Sequence, residues 1–422
     1  MKVKEFDILY ARDSKGKIRS WEIKVIPIND NANTEATIVQ QSGLLLGKKT
    51  SKSTKVTKGK NIGKANETTP FNQAVSNAQS KHNSKVLDGY KDLDAIDRVI
   101  GGQDLKAKCS ILDNIAINAI LDTVMPKDNT DKDGFSRPMK AQQYWNHLKD
   151  GTVPRIKFPC LGQPKINGFR CVAFLNKETN RVIFKSKKGL TYDILEHIEA
   201  ELLPIFTAWE RLKKDFGLEI DLVLDGEMYI PGEILSNIAS AVKKRSLMTS
   251  TLEYHVFDLS IADIAQLTRS NYLKQLMFKG STSFVKHVDY VLIETSREAE
   301  RLTDKWISEG YEGGIFRAPE ATYKFGQRPM TMTKLKRKES EEFEILDVID
   351  TEKAPGLGMF VCQNDLNDKT FEVVPQGTHE TRKKYLDDKV DLIGKPLTVE
   401  FYERTKDDLP FHAVGIAVRD YE

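Results

Sequence analysis

The sequence predicts a multi-domain α+β protein, on three observations. Its 422 residues exceed the roughly 250–300 at which a single hydrophobic core stops growing and chains divide. From Phe158 onward strand-like segments dominate, with helical segments set between them rather than alternating strictly. The charge is also split along the chain. Residues 1–95 hold 17 Lys and Arg against 10 Asp and Glu, so a formal net charge of only +3 hides a basic front and a mildly acidic body. A basic module appended to such a body is expected to meet a polyanion. A basic surface that serves solubility alone is the competing reading.

The first elements are strands at 3–10 and 19–28, joined by the turn-rich "DSKGK". The stretch from Gly43 to Lys64 carries seven lysines (Lys48, Lys49, Lys52, Lys55, Lys58, Lys60 and Lys64) and no acidic residue. Threonines, valines and glycines interleave with them, which predicts a strand pair with basic loops. Small polar residues can approach phosphates closely there while lysines neutralise them. "TTPFNQAVSNAQSKHNSKVLDGY" then reads as a helix, with a threonine cap, Pro70 in the first turn and a stop at Gly89. Residues 94–137 read as an amphipathic helical connector that ends in the charged, Gly/Pro-rich "PKDNTDKDGFSRP".

In the body, "RCVAFL", "RVIFKSK", "DLVLDGEMYI", "EYHVFDLS", "GGIFRA" and "MTKLKRK" are the expected strands. The longest helix is expected at 192–217. Its apolar set, Ile194, Leu195, Ile198, Leu202, Ile205, Phe206, Trp209 and Leu212, keeps a 3.6-residue period and is assigned to the core. The last eighty residues change to short strands with turn signals and one helix, "THETRKKYLDD". That pattern fits a small five-stranded barrel such as an OB-fold, with a β-sandwich as the alternative. The domain expectation is therefore 1–93, a connector at 94–137, a core at 138–341 and a barrel domain at 342–422. No apolar run approaches the length of a membrane span, and the first residues lack the apolar stretch of a signal peptide. The four cysteines are scattered without a CxxC pair, so neither structural zinc nor a disulfide framework is expected, and a reducing intracellular setting fits best.

The chemistry centres on "GQPKINGFRC" at 162–171. An ordinary lysine, with a pKa of about 10.4, is almost entirely protonated at neutral pH and cannot attack an electrophile. Lys165 needs burial or neighbouring cations to become a nucleophile. Candidate helpers follow it: Asp225 and Glu227 at the end of an apolar strand, Phe257 and Asp258 on another, and Glu312 before a Gly-Gly turn. Lys334 and Lys336 share one side of a strand, because alternate strand residues do. Two lysines on one face beside carboxylates make a phosphate-and-metal site.

Taken in order, KINGFR (165–170), SKKG (186–189), LDGE (224–227), VFDL (256–259), EGG (312–314) and KLK (334–336) resemble the covalent nucleotidyltransferases. Within them they resemble the ATP-dependent DNA ligases of phages and large DNA viruses. "RPMKAQQYW" (137–145) resembles the entry to that family's catalytic domain, and the C-terminal segment resembles its OB domain, so the likeness spans 137–422. It implies a nucleotidyltransferase core of ATP-grasp-like antiparallel sheets with helices, followed by an OB-fold barrel and preceded by a small basic α/β domain. It implies that Lys165 attacks the α-phosphorus of ATP to form lysyl-AMP, within a nucleotide-binding set that includes Pro164. Arg170 would hold ribose or nick phosphate, and Glu227 the ribose hydroxyl. Phe257 would stack on adenine. Glu312, with Glu227, would bind magnesium, and Lys334 and Lys336 would neutralise the α-phosphate. Ser186, Lys187 and Arg328 would contact DNA, joined by Lys48, Lys49, Lys58, Lys60 and Lys64 of the basic front. The implied partner is nicked duplex DNA, with a monomeric protein and no membrane.

Two positions depart from the family pattern. Asn167 stands where Asp is usual, keeping an acceptor and losing a charge. Lys187 stands where Arg is usual, keeping the charge and losing the bidentate fork. Residues 1–93 also resemble WGR-type DNA-binding modules, although the central Trp-Gly-Arg is absent. The competing readings are an mRNA-capping guanylyltransferase, an RNA ligase, and a non-catalytic DNA-binding protein on the same scaffold.

Overall fold

The computed structural model describes residues 2–13, 16–31, 34–125, 135–148, 151–277, 282–351 and 354–419. The chain forms two compact units: residues 1–130 with 348–359 and 377–389, and residues 131–347 with 360–376 and 390–422.

The first unit is built on an antiparallel sheet of β1 (Lys4–Glu5), β2 (Leu9–Arg12), β3 (Ile18–Pro27), β4 (Ala36–Leu44) and β5 (Lys49–Val56). Strand order is β1-β3-β4-β5, with β2 also paired to β3, so the lysine-bearing β5 lies at an edge. Helix α1 (Pro70–Leu87) starts where its sequence dictates. The Thr69 hydroxyl accepts from the Asn72 amide, and Pro70 occupies a first-turn position whose N–H would have no helical partner. Its Ala74 and Ala78 pack on Trp21, Ile23, Val25, Ala36, Ile38 and Val56 of one sheet face.

Three short helices follow: α2 (Leu93–Val99), α3 (Leu105–Ser110) and α4 (Asn114–Val124). Each is capped by an aspartate, Asp92, Asp104 and Asp113 respectively. Sequence reading makes this stretch a connector, yet its Ile96, Leu105, Cys109, Ile117 and Leu121 share a core with Tyr10 and Ile18 of the sheet and Leu45 of the turn after β4. Of the charged stretch at 126–138, only 135–138 lie within the described residues.

The second unit opens with β6 (Gln142–Gln143) and the hairpin of β7 (Trp145–Leu148) and β8 (Gly151–Pro154). Two five-stranded sheets then form. The first holds β10 (Phe169–Asn176), β11 (Arg181–Ser186), β12 (Val223–Tyr229), β13 (Glu253–Leu259) and β14 (Val285–His287) in the order β11-β10-β12-β13-β14. The second holds β9 (Cys160–Lys165), β15 (Val291–Ile293), β16 (Gly313–Arg317) and β17 (Met332–Leu335) in the order β15-β9-β16-β17-β6. Pairing is antiparallel except for β13 with β14 and β17 with β6.

Helices α5 (Glu196–Asp215), α6 (Leu235–Lys243) and α7 (Gln266–Met277) cover the first sheet. The α5 stripe Ile198, Leu202, Ile205, Phe206 and Trp209 is buried against Leu224, Tyr254 and Val256. Helix α8 (Ser296–Ser308) covers the second sheet through Ala299 and Trp306. Gly162 of β9 leaves room for both Ile293 of the neighbouring β15 and Trp306 of α8, because a Cβ there would stand 2.3 Å from Ile293 Cδ1 and 3.3 Å from the Trp306 ring. Among the described residues no helix is long and apolar enough to cross a membrane.

Five C-terminal strands close into a barrel in the order β18-β19-β20-β24-β21: β18 (Glu339–Thr351), β19 (Ala354–Gln363), β20 (Thr370–Pro375), β21 (Pro396–Phe401) and β24 (Val414–Val418). Helices α9 (His379–Asp387) and α10 (Lys389–Leu392) follow β20, and β22 (Glu403–Arg404) pairs with β23 (Pro410–Phe411). Alternate residues fill the interior, among them Phe343, Ile345, Phe360, Val373, Val399 and Phe401.

A buried ion pair ties α7 to β13. Arg269, fully buried, donates to both Asp258 oxygens at 3.0 and 3.2 Å. Arg269→Ala would leave the Asp258 carboxylate buried beside a single remaining cation, Arg317 at 3.2 Å. The expected loss is about 3–5 kcal/mol of unfolding free energy, read from the urea midpoint of the variant against the parent.

Candidate active site

Lys165 is the last residue of β9, and its position follows from backbone pairing. It lies opposite Gly313 of β16, and its carbonyl accepts the Glu312 amide at 2.8 Å. Glycine is required at 313, which has φ +150° and a site where a Cβ would sit 2.2 Å from the Leu335 carbonyl oxygen. Gly168 has the same justification: a Cβ there would stand 2.2 Å from the Met228 carbonyl oxygen. The glycine of KINGFR thus lets the turn after the lysine lie flat on β12.

The side chains converge on Glu312. One carboxylate oxygen accepts from the Lys165 ammonium and the other from Lys336, which follows β17. Burial holds Lys165 below the ordinary lysine range. Arg170 pushes the same way, and the Glu227 and Glu403 carboxylates oppose it. Lys336 is pushed down to about 8, by burial first and by Lys165 second. Lys334 is lowered by burial, then by Lys165, Arg328 and Lys187. Burial raises Glu227 to about 7 against the pull of Lys165 and Arg170. A lysine of lowered pKa, two further lysines and a carboxylate of raised pKa form one cluster.

Behind the cluster lies a polar lattice. Arg170 grips Asp225 through Nε and Nη2, both at 2.5 Å, and Asp225 is wholly buried. The Tyr323 hydroxyl donates to Asp225 Oδ2 at 2.5 Å and accepts from the Met139 amide at 3.1 Å. The guanidinium groups of Arg170 and Arg317 lie 4.7 and 5.2 Å from the Phe257 ring centroid. Gln163 fixes the backbone there, donating to the Phe257 carbonyl at 3.1 Å and the Val288 carbonyl at 2.7 Å. A cavity of about 350 Å³ opens beside β9, lined by Pro164, Ile166, His255, His287, Val288 and Tyr311 among others. Phe257 is not part of that lining.

The remaining candidates spread more widely. Lys187 is exposed, though close enough to act electrostatically on Glu227 and Lys334. Ser186 is buried, and its hydroxyl accepts from the Leu190 amide at 3.0 Å, so it organises a turn. Arg328 is exposed and donates to the Ala141 carbonyl at 2.8 Å. In the first unit, Lys48, Lys58, Lys60 and Lys64 are exposed, whereas Lys49 binds the Ser20 hydroxyl and lies 3.6 Å from Glu22.

Sequence reading gives no role to Gln163, Tyr323, Arg317, Tyr402 or Glu403. Arg317 ends the apolar strand GGIFR, so its charge there was an available signal, whereas Tyr323 carries none. Tyr402 and Glu403 carry no local signal, and only folding brings them to the site. Tyr402 lies under the Lys336 ammonium, 4.9 Å from ring centroid to Nζ, and Glu403 accepts from Asn167 Nδ2 at 3.0 Å.

Comparison with known proteins agrees with this site. Residues 138–336 match the family described as ATP dependent DNA ligase domain. A DNA ligase of African swine fever virus is 27% identical over 388 residues, 88% of this chain and 80% of the relative. A probable DNA ligase of Dictyoglomus thermophilum is 24% identical over 208 residues, 45% of this chain and 33% of the relative. Two solved structures share the fold. The first, from work on Lig E DNA ligases, has a TM-score of 0.51 and 17% identity, and covers 68% of this chain and all of that one. The second, Pmar-Lig_Pre, has a TM-score of 0.56 and 19% identity, and covers 74% and 73%. Site and relatives together identify residues 138–336 as an ATP-dependent DNA ligase domain in a chain similar to viral DNA ligases over 88% of its length.

Proposed function

We propose that this ligase seals nicks in duplex DNA through a Lys165–AMP intermediate and a 5′-adenylated DNA intermediate. The observation that carries the reading is the partly buried Lys165 held by Glu312 beside Lys336. The Lys165 amine attacks the α-phosphorus of ATP, a nitrogen–phosphorus bond forms, and the bond to pyrophosphate breaks. AMP then passes to the 5′-phosphate of the nick. The 3′-hydroxyl attacks that phosphorus and AMP leaves. Lys334 and Lys336 neutralise phosphate charge as it develops, and Glu227 and Arg170 orient the ribose end. Phe257 is read as the ring that stacks on adenine.

Among the described residues no cluster of three or more His, Cys, Asp or Glu could hold a metal. Magnesium nevertheless fits the donor set, because it is commonly held by one or two carboxylates together with substrate phosphates. Glu312 and Glu227 would hold it, and it would supply charge neutralisation at the phosphates.

The closed barrel is read as an OB-fold, and the paired sheets as an ATP-grasp-like nucleotidyltransferase core. Residues 1–93 are read as a WGR-like module that meets duplex phosphates through β5 and the loop after it. The boundaries at 137 and 341, a monomeric state and an intracellular setting complete the proposal. The buried free cysteines Cys109, Cys160, Cys171 and Cys362 agree with that setting.

Three outcomes test it. Incubation with α-labelled ATP should label the protein covalently, and a chase with nicked duplex should discharge the label. Lys165→Ala should take up none, and uptake from GTP alone would favour a capping activity instead. The pH profile of kcat/KM for ATP should rise as Lys165 loses its proton, at a pH below that of an ordinary lysine, and fall above about 8, where Lys336 loses its charge. Lys336→Arg should remove the falling limb. Replacing Lys58, Lys60 and Lys64 together by alanine should flatten the plot of log affinity against log salt by about 2–3, at ~0.9 for each phosphate no longer neutralised. Filter binding to intact duplex across a salt series would measure it.

A further inference from the structure

Asn167 breaks the expected pattern of the nucleophile motif, and the structure supplies it with a partner. Its Nδ2 donates to Glu403 Oε2 at 3.0 Å, across 236 positions of sequence. An ionised aspartate at 167 has no donor and could not make this bond. Two carboxylates at that distance in a partly buried site would repel, and one would have to take up a proton.

Glu403 is held rigidly where it meets Asn167. It lies on β22, paired with Phe411 of β23. The next residue, Arg404, is clamped to both Asp365 oxygens at 2.8 and 2.9 Å and to the Asp408 carbonyl at 2.8 Å. Its guanidinium also packs 5.1 Å from the Phe401 ring centroid. The preceding residue, Tyr402, places its ring under the Lys336 ammonium. Two successive residues just beyond barrel strand β21 therefore touch the two segments that flank Lys165. Glu403 holds the loop after the nucleophile, and Tyr402 holds the lysine that shares Glu312 with it.

We propose that Glu403 is a positioning residue for adenylylation, and that Asn167 is its matched complement, the two forming a latch that fixes the Lys165 loop against the barrel. The inference rests on the ligase reading above. It explains the asparagine as one half of a pair whose other half also differs in charge from what an acidic residue at 167 would need. Polarity can be reversed without losing the bond, because a glutamine at 403 could donate to an aspartate at 167.

The test is a reciprocal exchange in the full-length protein. Single-turnover label uptake from α-labelled ATP would be measured for the parent, Asn167→Asp, Glu403→Gln and the double variant. Asn167→Asp is expected to be at least about tenfold slower, a loss of ~1.4 kcal/mol. Glu403→Gln, which can still accept from the Asn167 amide but loses the charge of the carboxylate, should be slowed less than Asn167→Asp, and the double variant should recover to the rate of Glu403→Gln. Thermal melting gives an arm independent of activity: Asn167→Asp should lower Tm by a few degrees, and adding Glu403→Gln should restore it. A double variant no faster and no more stable than Asn167→Asp would overturn the latch. So would an Asn167→Asp variant that labels as fast as the parent. A parent that takes no label while the melting shifts remain reciprocal would defeat the ligase reading and leave the pair standing.

Discussion

A lysine that acts as a nucleophile must be held still and must be willing to lose its proton, and these demands conflict. A carboxylate that fixes an ammonium also favours the charged form. Here Glu312 is shared between Lys165 and Lys336, so neither cation has the anion to itself. Burial then tips Lys165 toward the neutral amine. Every element that brings Glu312, Lys165 and Lys336 together depends on β16 lying between β9 and β17 in the second sheet. Glycine at 313 is what lets those strands approach so closely.

The charged lattice behind the site stiffens it. Asp225 is gripped by Arg170 and Tyr323, and Asp258 by Arg269 and Arg317. Buried ion pairs add little net stability, because desolvation offsets their attraction. Their value here is geometric. Arg170 and Arg317 both flank Phe257, so the lattice sets the orientation of that ring. The cost is visible at Arg317, whose buried Nε has no hydrogen-bond partner among the described residues.

Much of this was legible from local sequence. The threonine cap and Pro70 give α1 its start, and the apolar period gives α5 its buried stripe, because both signals act within a few residues. The candidate site was legible from the order of its strands, since each strand end carries its own charged residue. Three things were not. Helices α2 to α4 read as a connector, because what buries Ile96 and Leu121 is a sheet face carrying Tyr10 and Ile18 far upstream. The bulge between Asp225 and Gly226 depends on the neighbouring strand. The meeting of Asn167 with Glu403 requires the barrel to be closed and its hairpin set, which no window of sequence contains.

Strand β5 carries a cost that its chemistry conceals. It is an edge strand, with one row of backbone N–H and C=O groups unpaired by the sheet. Such edges recruit other chains unless something blunts them, and lysines are the commonest means. Lys52 and Lys55, exposed along β5, blunt this edge, the latter while paired with Glu35 at 2.7 Å. Removing those charges would leave a strand edge that another chain could extend by backbone pairing, so the same side chains that make this strand basic also keep it from self-associating.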